Sequence, residues 1–202
     1  MEVPVTTKKT KKVLIVFSGL DGSGKSTLVN KIKSENPSYK IVQTVNFRLI
    51  NRVFKKTVIT REKKSEKTPM SAGVLNLLLL FFDIILFRLY YLFSKTPVVC
   101  DRYFYDILAV HVHRYGKSKL LRLFLHNRLI PKPDLAFFIH VEHEIAQKRE
   151  LGDYHSLEYF KSLKNIYNEL YINKNTYHLI HNNELNDAFY SIKKQIAQLH
   201  AR

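Results

Sequence analysis

The sequence predicts a three-layer α/β fold, in which helices cover both faces of a parallel sheet. Two observations predict it. Short apolar runs alternate with segments of helical period from residue 13 to the end of the chain. The first run, Val13–Ser18, is apolar almost throughout, as is typical of a central parallel strand that is covered on both faces. The spacing of the runs predicts a sheet of about five strands.

Length and composition fit one folded domain. The chain has 202 residues, enough to bury a substantial core, and we predict a single domain over 13–202 after a basic tail over 1–12. An apolar fraction of 46% excludes the disordered class. The single Cys100 cannot form an internal disulfide, and no signal peptide is evident at the start of the chain, so we expect a cytoplasmic protein.

The charge is strongly basic. Lys and Arg number 33 against 17 Asp and Glu, which gives a formal net charge of +16. This excess predicts an anionic partner such as a nucleotide, a nucleic acid or a membrane surface. Because the charge is spread along the chain, it equally fits a solvated basic surface.

A glycine-rich stretch follows the first strand. Gly19–Thr27 reads G-L-D-G-S-G-K-S-T and leads into a helix predicted over Ser26–Ser34, which is the strand, loop and helix setting of the G-x-x-x-x-G-K-[ST] phosphate-binding loop, or P-loop. Loop N–H groups and the helix N-terminus face the phosphates. Lys25 can reach the β- and γ-phosphates, and Ser26 can hold Mg²⁺. The sequence therefore predicts a P-loop NTPase fold that binds a nucleoside triphosphate and Mg²⁺. The predicted donor-binding residues of the loop are Asp21, Gly22, Ser23, Gly24, Lys25, Ser26 and Thr27.

The remaining elements alternate in the same way. Further strands are predicted over Tyr39–Phe47, Val98–Cys100, Asp134–Val141 and Tyr177–His181. Further helices are predicted over Val74–Phe93, Phe104–Tyr115, Ser118–Ile130, Glu142–Leu151, Ser156–Tyr171 and Glu184–His200. The polar and basic segment over 55–69 predicts a surface loop.

The helix predicted over Val74–Phe93 has the length of a membrane span. Asn76, Asp83 and Arg88 interrupt it, and the strand that follows must return to the sheet of the P-loop. We therefore predict no membrane span but a core helix that is packed on several sides. Asp83 is then a buried or cleft-facing carboxylate.

Three signals lie where strands end. The P-loop follows the first strand, Arg48 follows the second, and Asp101 with Arg102 follows Val98–Cys100. Ligands of open α/β sheets bind at this carboxyl edge. A carboxylate beside a P-loop serves the metal, and the guanidinium fork of Arg binds a phosphate in two places.

Several pieces, in this order, resemble the thymidylate kinase-like P-loop kinases. They are Val16–Thr27 with its acidic Asp21, the apolar helix start Leu79–Asp83, the Asp-Arg-Tyr motif at Asp101–Tyr103, Pro133-Asp134-Leu135, and Glu144–Arg149 before the helix Ser156–Tyr171. The resemblance covers nearly the whole chain from Val13. It implies transfer of the ATP γ-phosphoryl to a nucleoside monophosphate, with dTMP or another pyrimidine nucleotide expected, and it makes a homodimer plausible.

The resemblance also implies roles for individual residues. Lys25, Asp101, Arg102 and Arg149 would act in catalysis, with Asp101 and Ser26 at the metal and Arg149 closing on the donor from a lid over 148–156. The implied acceptor-binding residues are Asp21, Arg48, Asp83, Arg102, Tyr103 and Tyr105. Three features depart from the family pattern. Asn46-Phe47-Arg48 stands in place of its Thr-Arg-Glu-Pro-Gly-Gly stretch, and its base-reading Arg falls on Ile84. The lid is also short and lacks the family's usual density of Gly and Arg.

Two alternatives stay open on the sequence. The acceptor could be a non-nucleotide metabolite or the 5′ end of a nucleic acid, which is possible but not favoured. The chain could also be a non-catalytic NTP-binding module that docks on a membrane or a partner protein.

Overall fold

The computed structural model describes residues 12–44, 70–117, 129–149, 156–172 and 177–201. Its centre is a five-stranded sheet with the strand order β2-β3-β1-β4-β5, and every pair of neighbouring strands is parallel. The strands are β1 (Leu14–Gly19), β2 (Lys40–Val42), β3 (Val98–Asp101), β4 (Leu135–His140) and β5 (His178–His181). The prediction of a parallel sheet of about five strands is confirmed.

Six α-helices connect and cover the strands of this described part. They are α1 (Lys25–Glu35), α2 (Met70–Phe93), α3 (Phe104–Tyr115), α4 (His143–Arg149), α5 (Leu157–Tyr167) and α6 (Leu185–His200). Local chemistry sets some of their ends. The Ser156 hydroxyl caps α5 by accepting from the backbone N–H of Tyr159 at 3.3 Å. Helix α3 ends at Gly116, whose φ is 71°.

The two faces of the sheet carry separate apolar cores. Leu14 and Val16 of β1 point into one core, which α2, α3 and α5 cover. Ile15 and Phe17 point into the other, which α1 and α6 cover. Successive side chains of a strand point to opposite faces, so a fully apolar strand requires a helical layer on each side. The predicted three-layer architecture is confirmed.

Some predicted boundaries shift. The second strand is β2, Lys40–Val42, and is shorter than the predicted Tyr39–Phe47; Gln43 and Thr44 follow it, and residues 45–47 lie outside the described part. It is an edge strand that pairs only with β3. Because β3 ends at Asp101, the ladder has no further partner, and the Thr44 hydroxyl instead donates to the Arg102 carbonyl at 3.2 Å.

Helix α5 also ends earlier than predicted. It stops at Tyr167, and the chain continues as a short π-helix, Asn168–Ile172. Of the helix predicted over Ser118–Ile130 only Leu129 and Ile130 are described, and they form a turn. The loop over 55–69 lies outside the described residues, as do most of the tail over 1–12 and most of the lid over 148–156.

The prediction that α2 is packed on several sides is wrong. One face is buried in the core, through Leu77, Leu80, Ile84 and Phe87, but the opposite face is exposed. The exposed apolar side chains of α2 are Val74, Leu75, Leu78, Phe82, Ile85, Leu86, Leu89, Leu92 and Phe93. By length and composition Gly73–Phe93 could cross a membrane, and 33% of this apolar stretch is buried. The sequence shows that this helix is apolar on all sides. It does not show which of those sides other helices and strands will cover.

Candidate active site

The P-loop forms a turn between β1 and α1 at the carboxyl edge of the sheet. Lys25 is 5% exposed, and its Nζ donates to the Leu20 carbonyl at 2.6 Å and to the Ser23 hydroxyl at 3.1 Å. Burial, and then the nearby Arg102 cation, lower the pKa of Lys25 to about 8. Among the described residues no carboxylate is bonded to this buried ammonium, and an incoming phosphate chain would stabilise its charged form.

Ser26 and Asp101 lie beside the loop. The Ser26 hydroxyl donates to the Asp101 carboxylate at 2.6 Å, across 75 residues of chain. Strand β3 brings Asp101 there, because it pairs directly with β1 and Asp101 lies in register with Phe17. One hydroxyl and one carboxylate are oxygen donors of the kind that Mg²⁺ binds.

Arg102 has an unusual backbone. Its φ is 71°, which is uncommon for a residue with a side chain. The backbone is fixed on both sides: the Arg102 N–H donates to the Phe17 carbonyl at 2.9 Å, and its own carbonyl accepts from Thr44. This turn directs the guanidinium to Asp21 of the P-loop, with which it forms an ion pair. Strain of this kind is concentrated at functional sites.

A pocket opens between the P-loop and the helices of the first core. The space at this pocket amounts to about 440 Å³ when the open solvent at its mouth is included. Three of its residues, Gly19, Leu20 and Asp21, belong to the P-loop, so the pocket adjoins the predicted phosphate-binding loop. The remaining lining residues are Arg102, Asp106, Val110, Tyr159, Phe160, Leu163 and Tyr167.

Asp106 joins the pocket floor to the P-loop. It is 5% exposed and accepts from the Ser18 hydroxyl at 2.6 Å, from the Gly19 N–H at 3.3 Å and from the Tyr103 N–H at 2.7 Å. The Tyr167 hydroxyl is a fourth donor to this carboxylate. Burial, and then the Asp106 charge, raise the pKa of Tyr167 well above its ordinary value, so the phenol keeps its proton and donates.

The Arg102 guanidinium lies between two carboxylates. Burial disfavours its charge, but Asp21 and Asp106 outweigh that effect and raise the pKa of Arg102. The site thus keeps a permanent cation at the pocket floor, beside the P-loop.

Arg149 ends α4 on the other side of the P-loop. Its Nη1 donates to the Asn182 carbonyl at 3.2 Å, and its Nη2 donates to the Asn183 carbonyl at 3.3 Å. Both carbonyls belong to the turn after β5. The predicted lid arginine is therefore held 3.8 Å from where a Cβ on Gly24 would lie.

The other predicted acceptor residues lie elsewhere. Tyr103 is fully buried, and its hydroxyl donates to the Pro131 carbonyl at 2.7 Å. Tyr105 packs against Tyr103, Tyr171 and Tyr177 in an aromatic cluster. Asp83 is 2% exposed on α2, and none of these three residues lines the pocket. Arg48 lies outside the described residues. Their roles in acceptor binding stay predictions.

Sequence reasoning missed several members of this site. Tyr159, Phe160, Leu163 and Tyr167 have only the apolar period of an amphipathic helix, which predicts burial but not a pocket wall. Asp106 carried a usable signal, because an acidic residue at the third position of a helix often bonds the backbone at the helix start.

Comparison with known proteins identifies the family. The family model for thymidylate kinase matches residues 17–192. The chain belongs to the thymidylate kinase family. Its enzyme class is therefore ATP-dependent nucleoside monophosphate kinase. It is 30% identical to a thymidylate kinase of Dictyostelium discoideum over 168 residues, which cover 78% of this chain and 72% of the relative. It is 27% identical to a probable thymidylate kinase of Archaeoglobus fulgidus over 164 residues, which cover 78% and 81%.

Solved structures share the fold of this thymidylate kinase family member. The thymidylate kinase of Candida albicans superposes with a TM-score of 0.68 at 20% identity and covers 94% of both chains. A deoxyadenosine kinase of M. mycoides superposes with a TM-score of 0.58 at 15% identity, over 92% of this chain and 99% of its own. The predicted P-loop kinase fold is confirmed.

Proposed function

We propose that this enzyme transfers the γ-phosphoryl of Mg·ATP to a pyrimidine nucleoside monophosphate, with dTMP as the first candidate. One observation carries the proposal: the pocket that contains Arg102 is lined in part by the P-loop itself. A donor phosphate in the cradle and an acceptor phosphate on Arg102 would then lie side by side. Phosphoryl transfer depends mainly on such positioning and on charge neutralisation.

The donor phosphates belong to the P-loop. Its N–H groups and the N-terminus of α1 would bind them, and Lys25 would exchange its present bonds to Leu20 and Ser23 for phosphate oxygens. Arg149 would add a second cation from α4. A cation placed where negative charge develops stabilises the transition state.

Mg²⁺ fits the pair formed by Ser26 and Asp101. Both present oxygen atoms beside the loop, and their mutual hydrogen bond holds them together at 2.6 Å. When bound there, Mg²⁺ would neutralise charge on the donor phosphates. The protein's part is to hold these two side chains at the carboxyl ends of β1 and β3.

The acceptor phosphate belongs to Arg102. Its fork would bind two phosphate oxygens, and its raised pKa keeps it charged. Asp21, already paired with this guanidinium, would orient it from the donor side and face the acceptor sugar. The aromatic side chains Tyr159 and Phe160 give the pocket a wall against which a flat ring can stack.

Base selection would follow from the shape of the pocket. Ile84, which stands where the family pattern has its base-reading Arg, is 1% exposed in the core. That position supplies no guanidinium to the base. We therefore expect discrimination between pyrimidines to be modest, since apolar contacts separate similar ligands only weakly.

The test is ADP formation from Mg·ATP across nucleoside monophosphates: dTMP, dUMP, dCMP and the purine nucleotides. A pyrimidine acceptor, with no signal in Lys25→Ala, is the expected result. ADP formation that no acceptor stimulates would contradict the kinase proposal. If no mononucleotide stimulates ADP formation, the acceptor is to be sought among phosphorylated metabolites and oligonucleotide 5′ ends. A steep loss of oligonucleotide binding with salt would favour the oligonucleotide ends.

We further propose that two copies pair through the exposed face of α2. Six exposed apolar residues repeat at alternating intervals of three and four along this face: Leu75, Leu78, Phe82, Ile85, Leu89 and Leu92. That is the heptad spacing of helices that pack against each other, and it extends over about 26 Å. A second copy presents the same spacing, which suits a symmetric dimer.

Light scattering of the purified enzyme tests the dimer. We expect a dimer that Phe82→Lys converts to a monomer, whereas Tyr190→Lys, on an exposed apolar residue of α6, leaves it intact. A monomeric wild type would contradict the pairing. If the enzyme required detergent to stay in solution, that would also contradict the pairing, and would indicate that the exposed face of α2 lies against a membrane surface.

We also propose a cytoplasmic location. Cys100 is a free, buried thiol, and burial raises its pKa. A protein whose one cysteine is unpaired suits a reducing compartment.

A further inference from the structure

We propose that Asn182 is a positioning residue that sets the phosphate cradle of the P-loop from the turn after β5. The inference rests on the proposed function, because it assigns a role within donor binding. Asn182 is 1% exposed and lies immediately beyond β5, at the carboxyl edge of the sheet. Nothing in the P-loop pattern itself refers to this position, which is 159 residues away from Ser23.

The side chain binds the middle of the loop. Its Nδ2 donates to the Ser23 carbonyl at 2.7 Å, in a buried setting. In a trans peptide, the carbonyl and the N–H of the next residue point in opposite directions. When Asn182 holds the Ser23 carbonyl outward, the N–H of Gly24 is therefore turned toward the concave side of the loop, where the donor phosphates bind.

The contact also explains why residue 24 is a glycine. Gly24 has a φ of 82°, in the left-handed region that side chains disfavour. A Cβ at this position would lie 2.4 Å from the Asn182 Nδ2. The amide of Asn182 thus occupies the space behind the loop, and the loop backbone rests directly against it.

Asn182 itself is held rigidly. Its backbone N–H donates to the His140 carbonyl at 2.7 Å, which extends the β4–β5 ladder by one bond. Its backbone carbonyl accepts from Arg149. One residue therefore ties the sheet edge, the predicted lid arginine and the P-loop together. Within the described residues its Oδ1 has no hydrogen-bond partner. The bond from Nδ2 to the Ser23 carbonyl is therefore the one hydrogen bond that this side chain makes there.

The role proposed for Asn182 is to orient the N–H of Gly24 before the donor binds. A charge-assisted hydrogen bond from the Gly24 N–H to a phosphate oxygen needs that N–H aimed in advance. Without the amide of Asn182, the Ser23–Gly24 peptide is free to rotate before the ligand binds. Donor affinity then falls, while the pocket of Arg102 keeps its shape.

The experiment compares Asn182→Ala with Asn183→Ala by calorimetry. Asn183 is the exposed neighbour in the same turn, and its alanine variant keeps the backbone carbonyl that binds Arg149. Each protein is titrated with ADP, with pyrophosphate and with dTMP. We expect Asn182→Ala to weaken ADP and pyrophosphate binding roughly tenfold, to leave dTMP binding unchanged, and Asn183→Ala to match the wild type.

Three results would overturn the inference. Unchanged ADP and pyrophosphate affinity in Asn182→Ala would mean that the loop orients itself. An equal loss for ADP and dTMP would mean a general structural role. If Asn182→Ala does not fold, Asn182→Leu tests the same bond, because it keeps a similar shape without a charge and cannot donate to the Ser23 carbonyl. A wild type that binds dTMP but not pyrophosphate would overturn the donor site and this inference together.

Discussion

The donor side and the acceptor side of this site are built in different ways. The proposed donor cradle is a continuous stretch, Gly19–Thr27, that would bind phosphates through backbone N–H groups and two side chains. The proposed acceptor pocket takes side chains from the P-loop, α3, α5 and the end of β3. Backbone geometry follows from a short local pattern, whereas a pocket of side chains depends on how distant elements pack.

The difference has a consequence for mutation. On the proposed donor side, Lys25 would supply the charge and Ser26 the metal oxygen, so we expect single changes to remove chemistry. On the acceptor side, Asp106 receives four hydrogen bonds at once, so single changes loosen a network. The following predictions separate the two sides, from the largest expected effect to the smallest.

The largest effect is expected for Lys25→Ala. It removes the buried P-loop cation, and kcat should fall about 10³-fold, since groups that stabilise transition-state charge contribute on that order. Steady-state ADP formation measures it. Lys194→Ala, at an exposed position of α6, is the matched control and should keep full activity. Equal activity of both variants would mean that the loop lysine does not serve transfer.

Arg102→Ala should act on the acceptor alone. It removes the fork and leaves Asp21 and Asp106 to repel the acceptor phosphate, so kcat/KM for the acceptor should fall about a hundredfold. ATP affinity should stay within about threefold, because the phosphate cradle remains.

The control for this variant is Arg114→Ala, which removes an exposed arginine from the same α3 region. If Arg102→Ala lowered ATP affinity as much as it lowered kcat/KM for the acceptor, the donor and acceptor sides would not be separate. Arg102→Lys should recover only part of the activity, because an ammonium lacks the planar fork.

Tyr167→Phe should reveal the network under the acceptor pocket. It takes one of four donors from the buried Asp106 carboxylate, and the free energy of unfolding should drop by about 2 kcal/mol. Urea unfolding measures this change. Tyr190→Phe removes a hydroxyl from a side chain that is 71% exposed and should change stability by no more than about 0.5 kcal/mol.

The smallest effect is a proton taken up on donor binding. Burial lowers the pKa of Lys25 to about 8, and donor phosphates raise it again by favouring the charged form. At pH 8 about half a proton should therefore be taken up per ADP bound. Calorimetry in buffers of different ionisation enthalpy measures it. Lys25→Arg, always charged, should lack this uptake; equal uptake in both proteins would place the titrating group elsewhere.

Much of the fold could be predicted from the residues. The apolar run of β1 and the helical periods that follow gave the number of strands, their parallel arrangement and the two helical layers. Helix α3 was predicted to the residue, because Gly116 ends it. The second strand was predicted too long, since its alternation continues beyond the point where its neighbour β3 ends.

By itself the sequence determined the P-loop and the family, because a P-loop depends on residues that are adjacent in the chain. Tertiary structure alone decided three other features. These are the left-handed turn that aims Arg102, the pocket wall from α5, and the bond from Asn182 to the loop, which join residues that are far apart in sequence. It also decided which face of α2 is covered, since hydrophobicity drives burial without direction and only the packed neighbours select the face.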